Sequence, residues 1–318
     1  MKAPICVLLS LAALLAANGQ PRALHGALLV HDPSTIIRCG SEYWLFGTGP
    51  GLRSLHSKDL TTWEAGPRVF ANSPAWTTNA VPGNRGYFWA PDIIRLGDVY
   101  LLYYSVSTWG SQTSAIGLAT NPTLDPVDPA FAWTDRGPVI RSSERDSYNA
   151  IDPSLLSDAE GRLWLAFGSY WSGIKLIELD PQSGLTLHTN APVFSLAWHE
   201  SIEAACLCQH DGYYYLFVNW GQCCRGVKST YNIRVGRSRI ATGPFLDKDR
   251  VDLLGGGGSL ILGSEASWIG PGHAGLFVEN GQTWFSYHYY DGINEGASTL
   301  AIRPLIWNVH DWPELSGP

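Results

Sequence analysis

The 318-residue sequence contains few charged residues, and basic residues are the scarcer kind. Charged side chains make up 15% of the chain, and its net charge is −7 at neutral pH. The sequence has no cluster of Lys or Arg that could neutralise a run of phosphate groups. We therefore expect the protein to have no nucleic-acid partner.

The longest apolar run lies within the first twenty residues. Lys2 precedes the apolar segment 4–17, and small residues follow up to Gly19. This pattern is typical of an export signal, so we predict a signal peptide over residues 1–19. A membrane anchor is the alternative, but the run is shorter than the roughly 18–20 apolar residues that a membrane helix needs. We expect a secreted, extracellular protein that is not bound to a membrane.

Cysteine is too scarce to build a fold on disulfides. Five cysteines follow the predicted signal peptide, namely Cys39, Cys206, Cys208, Cys223 and Cys224. They are too scattered for a zinc site. The adjacent Cys223 and Cys224 can form a disulfide with each other or remain thiols, and the sequence leaves both states open.

Helix-period segments are missing after residue 19, and a unit rich in strand signals recurs five times instead. Each copy has a polar anchor residue, an apolar run, a Gly-containing turn and an aromatic strand, at intervals of about 50 to 70 residues. The anchors are Asp32, Asp92, Asp152, Glu203 and His273. This repetition predicts an all-β fold, a five-bladed β-propeller that occupies residues 20–318 as a single domain. A pair of β-sandwiches is the alternative, but no linker interrupts the middle of the chain.

The ends of the chain also carry strand signals. The segments 27–30 and 300–307 are both apolar, and we expect both to lie in the last blade. Such an arrangement would close the ring of blades by joining its first and last parts.

Four of the five anchors are acidic, and a propeller brings equivalent residues to one central channel. Clustered carboxylates repel one another, so such a cluster indicates a cation site or acid–base catalysis. The structural alternative is that each Asp-Pro pair only forms a turn. Glycoside hydrolysis needs one carboxylic acid and one carboxylate, and residues from different blades would leave room for a water between them, as inversion requires. Glu203 is then the candidate acid.

Several motifs together carry a resemblance to a known family. They are 30–34 (VHDPS), 89–93 (WAPDI), 149–154 (NAIDPS), 201–204 (SIEA), 223–226 (CCRG) and 270–273 (GPGH). In this order and spacing the chain resembles glycoside hydrolase family 43, and within it the endo-1,5-α-L-arabinanases. The resemblance extends over essentially the whole chain after the signal. It implies a five-bladed propeller that hydrolyses α-1,5-L-arabinofuranosidic linkages in plant arabinan with inversion.

The resemblance also implies roles for the anchor residues. Asp32 is expected to be the general base, Glu203 the general acid, and Asp152 the residue that raises the pKa of the acid. Asp92 matches a family position and is expected to contact substrate. His273 matches a histidine that helps to hold a metal ion, most often calcium with mainly water ligands, although a histidine ligand is unusual for calcium. On residue chemistry alone, His273 is a core histidine.

Aromatic residues are plentiful, with 14 Trp and 14 Tyr, and a flat ring can cover the apolar face of a sugar. The resemblance places Trp89, Trp109 and Trp171 at the arabinan groove, where Asn149 and Ser172 can bind sugar hydroxyls. Packing in the core is the alternative for each Trp. We expect arabinan and arabino-oligosaccharides as partners of a monomeric protein.

Two other functions stay open at this point. One is exo-acting hydrolysis, as in an α-L-arabinofuranosidase or β-xylosidase of the same superfamily. The other is a sugar-binding propeller without catalysis, but such proteins usually repeat an aromatic site on every blade and need no acidic cluster. The acidic anchors favour an enzyme.

Overall fold

The computed structural model describes residues 23–188 and 190–315. The predicted signal peptide, residues 1–19, lies outside these ranges. In the described ranges, no helix is long and apolar enough to cross a membrane. Regular structure there consists almost entirely of β-strands.

The strands alternate with turns along the described chain and are interrupted by a single α-helix, α1 (Ala75–Ala80), and by two short 3-10 helices, Gly226–Lys228 and Leu253–Gly255. In chain order the strands are β1 (His25–Gly26), β2 (Ile37–Cys39), β3 (Glu42–Gly47), β4 (Gly49–Pro50), β5 (Arg53–Ser57), β6 (Thr62–Ala65), β7 (Tyr87–Leu96), β8 (Val99–Val106), β9 (Ser114–Asn121), β10 (Thr134–Ser142), β11 (Ser154–Ser157), β12 (Leu163–Phe167), β13 (Ile174–Leu179), β14 (Phe194–Ala197), β15 (Glu203–His210), β16 (Tyr213–Trp220), β17 (Asn232–Ser238), β18 (Ser259–Leu262), β19 (Trp268–Glu279), β20 (Gln282–Asp291), β21 (Ala297–Trp307) and β22 (Pro313–Leu315).

These strands form five sheets, which are the five blades of a β-propeller, as the repeats predicted. The strand orders are β1-β6-β5-β3-β2, β10-β9-β8-β7-β4, β11-β12-β13-β14, β15-β16-β17-β18 and β19-β20-β21-β22. Within each blade the main strands follow one another as antiparallel hairpins. The turns Asp211-Gly212 and Asn280-Gly281 were predicted from sequence. Each joins the two strands of one hairpin, and its residues have positive φ.

The ring closes where the N-terminal segment meets the fifth blade. Leu29 forms an antiparallel bridge to Thr299 in β21. Leu300 N donates to the carbonyl of Leu28 at 2.9 Å, and Val30 N donates to that of Ser298 at 3.1 Å. Just before this segment, β1 pairs with β6 of the first blade. The segment therefore ties the first blade to the last, as expected from sequence.

Apolar side chains fill the spaces between neighbouring blades. Leu45 of the first blade and Ile302 of the fifth, for example, belong to one buried cluster. Similar clusters lie between the other neighbouring blades. Burial of each such side chain contributes about 1.5–3 kcal/mol, so the blades are held in a fixed arrangement around the axis.

One residue with left-handed backbone geometry stands at the equivalent position of every blade, either shortly before the innermost strand or within it. These residues are Asp32 (φ 49°), Ala90 (φ 40°), Asp152 (φ 58°), Ala204 (φ 53°) and His273 (φ 60°). Non-glycine residues adopt this conformation rarely and at a cost. The geometry corrects the anchor alignment, because Glu203 precedes this position by one residue and Asp92 follows it by two.

Candidate active site

The three predicted catalytic carboxylates line one large cavity. Its volume is about 1100 Å³, and its wall is formed by residues of the first four blades. Asp32 comes from the first blade, Asp152 from the third and Glu203 from the fourth. Residues more than 170 positions apart in the chain therefore face the same space.

Asp32 is held in its ionised form. Thr48 Oγ1 donates to its Oδ2 atom at 2.6 Å, and His31 Nδ1 lies 2.8 Å from the same oxygen. His273 Nδ1 is 3.5 Å from the Oδ1 atom. Burial alone raises the pKa of Asp32, but the neighbouring His31 and His273 side chains outweigh it and hold this pKa well below its usual value. Asp32 is thus a carboxylate that can accept a proton.

Glu203 has the opposite protonation preference. Ser169 donates a hydrogen bond to its Oε2 atom at 2.7 Å, and the hydroxyl of Tyr231 contacts its Oε1 atom. Burial, together with the nearby charge of Asp152, raises the pKa of Glu203 to about 8. At neutral pH this side chain is therefore a carboxylic acid that can donate a proton.

The pKa of Asp152 lies between those of Asp32 and Glu203. Its Oδ2 atom accepts a hydrogen bond from Ala204 N at 3.1 Å, and its own backbone N–H donates to Ser105 Oγ at 2.9 Å. Burial raises the pKa of Asp152, and the charge of Asp32 acts in the same direction. When ionised, Asp152 favours the protonated form of Glu203.

Polar and aromatic side chains complete the cavity wall. Trp89, Trp109, Asn149 and Trp171 all line it, as expected. The side chain of Trp109 is 77% exposed and that of Trp171 is 42% exposed, so their ring faces are accessible to a ligand. The Oδ1 atom of Asn149 is buried and accepts no hydrogen bond from the described residues.

Comparisons with known proteins agree with this geometry. Residues 27–313 match the model of the family described as "Glycosyl hydrolases family 43". The chain belongs to this family. It is therefore a glycoside hydrolase, and the alternative of a binding protein without catalysis is not supported.

Two curated relatives of this chain are named for different activities. The chain is 42% identical over 293 residues to an "extracellular endo-alpha-(1->5)-L-arabinanase" of Bacillus subtilis, a match that covers 90% of this chain and 87% of that protein. It is 40% identical over 299 residues to an "extracellular exo-alpha-(1->5)-L-arabinofuranosidase" of Cellvibrio japonicus, which covers 90% and 86%. The relatives thus agree on the linkage and differ on the mode of cleavage.

A solved structure has the same fold as the family 43 enzyme. It is the α-L-arabinanase of Cellvibrio cellulosa complexed with arabinohexaose. The two structures superpose with a TM-score of 0.86 at 38% identity, and the match covers 91% of this chain and 95% of the other.

Asp92, which was expected to contact substrate, does not line the large cavity and lines a smaller void instead. Its Oδ1 atom accepts from Thr35 N of the first blade at 3.0 Å, and its Oδ2 atom accepts from Leu155 N of the third blade at 2.8 Å. Ser154, two residues after Asp152, bonds Leu207 N of the next blade in the same way. Asp92 therefore connects neighbouring blades, and the sequence prediction misplaced it by two residues.

Ser172 is also not part of the cavity wall. Its hydroxyl lies 3.4 Å from Ser147 Oγ, outside the residues that line the cavity. The prediction that Ser172 binds sugar hydroxyls therefore has no support from its position.

His273 lies next to Asp32 but lines a separate, much smaller void. Its backbone N–H donates to Asn219 Oδ1 at 2.9 Å. Burial lowers the pKa of His273, but the Asp32 carboxylate more than offsets this and the net shift is upward. Calcium prefers six to eight oxygen ligands, whereas this imidazole and the Asp32 carboxylate offer few. The donor set fits calcium only if water supplies most of the ligands.

Several cavity residues were not singled out from the sequence. Among them are His31, Thr48, Ser169 and Tyr231, each in contact with Asp32 or Glu203. His31 stands inside the motif 30–34, which carries part of the family resemblance, so a signal for it was present. Cys223 and Cys224 are joined by a disulfide and also line the cavity, which resolves the state that the sequence left open.

Proposed function

We propose that this family 43 glycoside hydrolase cleaves α-1,5-L-arabinofuranosidic linkages within arabinan, with inversion at the anomeric carbon. The observation that supports this most directly is the pairing of an ionised Asp32 with a protonated Glu203 in one cavity. An inverting hydrolysis needs these two protonation states at the same time. The choice of linkage is supported by the names of the two relatives, both of which specify an α-1,5-L-arabinofuranosidic bond.

In the proposed reaction, Asp32 removes a proton from a water molecule as its oxygen attacks the anomeric carbon. Glu203 gives its proton to the glycosidic oxygen as the bond between that oxygen and the anomeric carbon breaks. Burial of Glu203, together with the charge of Asp152, keeps Glu203 protonated before the step. Return to the starting state requires loss of the proton from Asp32 and uptake of one by Glu203, both exchanged with solvent.

Endo cleavage is favoured by the exposed aromatic side chains of the cavity. Trp109 and Trp171 present ring faces to solvent at its wall, where further arabinose units of a long chain can stack. Exo cleavage is the second candidate, because a relative of nearly the same sequence identity is named an exo-acting arabinofuranosidase.

Debranched linear arabinan distinguishes the two modes. For endo cleavage we expect the viscosity to fall steeply while few reducing ends have formed, with oligosaccharides of mixed length as the first products. Viscometry and a reducing-sugar assay on the same samples measure this. Arabinose or one short oligosaccharide as the sole early product, with slowly falling viscosity, would establish the exo mode instead.

The pH dependence of kcat/KM should be wide, because the two catalytic pKa values are shifted apart. The acid limb follows Asp32 and should lie well below the usual range of an aspartate. The alkaline limb follows Glu203 and should lie at about pH 8. In Asp152→Asn a negative charge that raises the pKa of Glu203 is removed, so the alkaline limb should move to lower pH. An unchanged limb in this variant would refute the role of Asp152.

We also propose that His273, with water as the main source of ligands, holds a calcium ion. The ion would add positive charge beside Asp32, and the mechanism above does not depend on it. Elemental analysis of the purified protein and of His273→Ala tests this.

Secretion after removal of residues 1–19 is supported by the word "extracellular" in the names of both relatives. It is tested by N-terminal sequencing, and the monomeric state by light scattering.

A further inference from the structure

A chain of hydrogen bonds leads from Asp32 into the cavity wall. His31 Nδ1 lies 2.8 Å from Asp32 Oδ2, and His31 Nε2 lies 2.8 Å from the hydroxyl of Tyr290. Cys224 N in turn donates to the same hydroxyl at 2.6 Å. The proposed base is therefore connected through two side chains to a backbone amide of the loop that carries the disulfide.

The donation from the backbone amide is compatible with a hydrogen bond that runs from Tyr290 to His31 and on to Asp32. An amide N–H can only donate, so the Tyr290 oxygen accepts from Cys224, and its own proton is available for His31 Nε2. A neutral imidazole that accepts at Nε2 carries its proton on Nδ1. That proton points to Asp32 Oδ2, which also accepts from Thr48.

The groups of the chain are fixed in place by their surroundings. The His31 ring stacks on His288, with 4.2 Å between ring centroids. His288 Nδ1 accepts from the backbone N–H of Asp32 at 3.1 Å. His288 therefore restrains the backbone of Asp32, while His31 contacts its carboxylate. Cys224 has a left-handed φ of 65° and is bonded to Cys223, which restrains the amide that begins the chain.

We propose that His31 is a positioning residue for the base and that Tyr290 selects the His31 tautomer that donates to Asp32. The inference rests on the proposed function, because it assigns these residues a role through Asp32. We expect this positioning to raise kcat, because Asp32 must be oriented toward the attacking water. A third group that orients a catalytic base is a recurrent arrangement in enzymes.

Single and double variants of this chain test the proposal. Tyr290→Phe should lower kcat on linear arabinan about tenfold, with KM changed by less than about twofold, because one hydrogen bond of the chain is lost. His31→Asn should lower kcat by a similar factor, since the Asn amide can take the place of Nδ1 but cannot reach Tyr290. His31→Ala, which also loses the donor to Asp32, should cost about a hundredfold.

The double variant separates positioning from a general structural effect. Once His31 is Asn, the Tyr290 hydroxyl has no path to Asp32, so adding Tyr290→Phe should reduce kcat no further. Tyr289→Phe is the matched control. It removes a hydroxyl from the adjacent residue of β20, whose ring stacks on Trp268, and should leave kcat unchanged. Multiplying losses in the double variant, or a normal kcat in Tyr290→Phe, would overturn the proposal.

Two further measurements keep the result interpretable. Nitrogen-15 NMR of labelled histidine in the unmodified enzyme should show the His31 proton on Nδ1, with the signal assigned by its loss in His31→Asn. A proton on Nε2 would refute the proposed tautomer even if every Tyr290 variant failed to fold. Asp32→Asn is assayed alongside: if it stays active, the proposed function fails, whereas an inactive Asp32→Asn with a fully active Tyr290→Phe rejects only the inference about His31.

Discussion

Glu203→Gln should lower kcat on linear arabinan by about 10²–10⁴-fold, the range typical of a lost general acid. Gln has nearly the shape of Glu, and its amide can accept a hydrogen bond from one of the Ser169 and Tyr231 hydroxyls and donate one to the other, so the fold should be retained. It has no proton to give to the glycosidic oxygen. Initial rates on arabinan, with circular dichroism to confirm the fold, measure the effect.

The leaving group shows whether the lost function is proton donation. An aryl arabinoside with an acidic phenol leaves without protonation, so Glu203→Gln should lose far less activity on such a substrate than on arabinan. Glu200→Gln is the matched control, because Glu200 is exposed three residues earlier and does not line the cavity. Equal losses on both substrates would contradict the acid role.

The fold could be predicted from sequence because its signals are local. Gly-containing turns between apolar runs specify hairpins, and a fivefold recurrence of such hairpins leaves few architectures other than a propeller. The pairing of the N-terminal segment with the last blade, seen at Leu29 and Thr299, could also be predicted, because the first and last parts of a ring of blades must meet.

The register within the blades was harder to predict, because it is set by backbone conformation. The equivalent residue is left-handed in every blade, yet it is Asp in two blades, His in one and Ala in two. Ala90 and Ala204 give no hint in the sequence of a positive φ, which is unusual for alanine. An alignment of the repeats by their acidic side chains therefore put Asp92 and Glu203 at the equivalent position, which Ala90 and Ala204 occupy in the structure.

The carboxylates of the predicted site could be identified from their motifs, whereas their contacts with residues distant in the chain could not. His31 reaches Tyr290 across 259 positions in the chain, and Glu203 reaches Ser169 across 34. Such pairs depend on how neighbouring blades are placed, which no single stretch of sequence encodes. For the same reason the bonds of Asp92 to two other blades could not be distinguished from a substrate contact.

Asp32→Asn should reduce kcat as strongly as Glu203→Gln, by about 10²–10⁴-fold, but with a different response to substrate. The Asn side chain can still accept from Thr48, while it cannot take a proton from water. Because water must attack every substrate, an acidic leaving group should not restore the rate. Asp98→Asn, an exposed change in the β7–β8 hairpin, is the matched control and should be fully active.

The two variants together decide between an acid–base pair and a shared electrostatic role. If Asp32 and Glu203 only stabilised positive charge at the anomeric carbon, an activated leaving group would affect both variants alike. If they divide the two proton transfers, only Glu203→Gln recovers. The division follows from their surroundings, because histidines keep Asp32 ionised while burial and the Asp152 charge keep Glu203 protonated. Recovery of Asp32→Asn on the activated substrate would show that the roles are assigned the wrong way round.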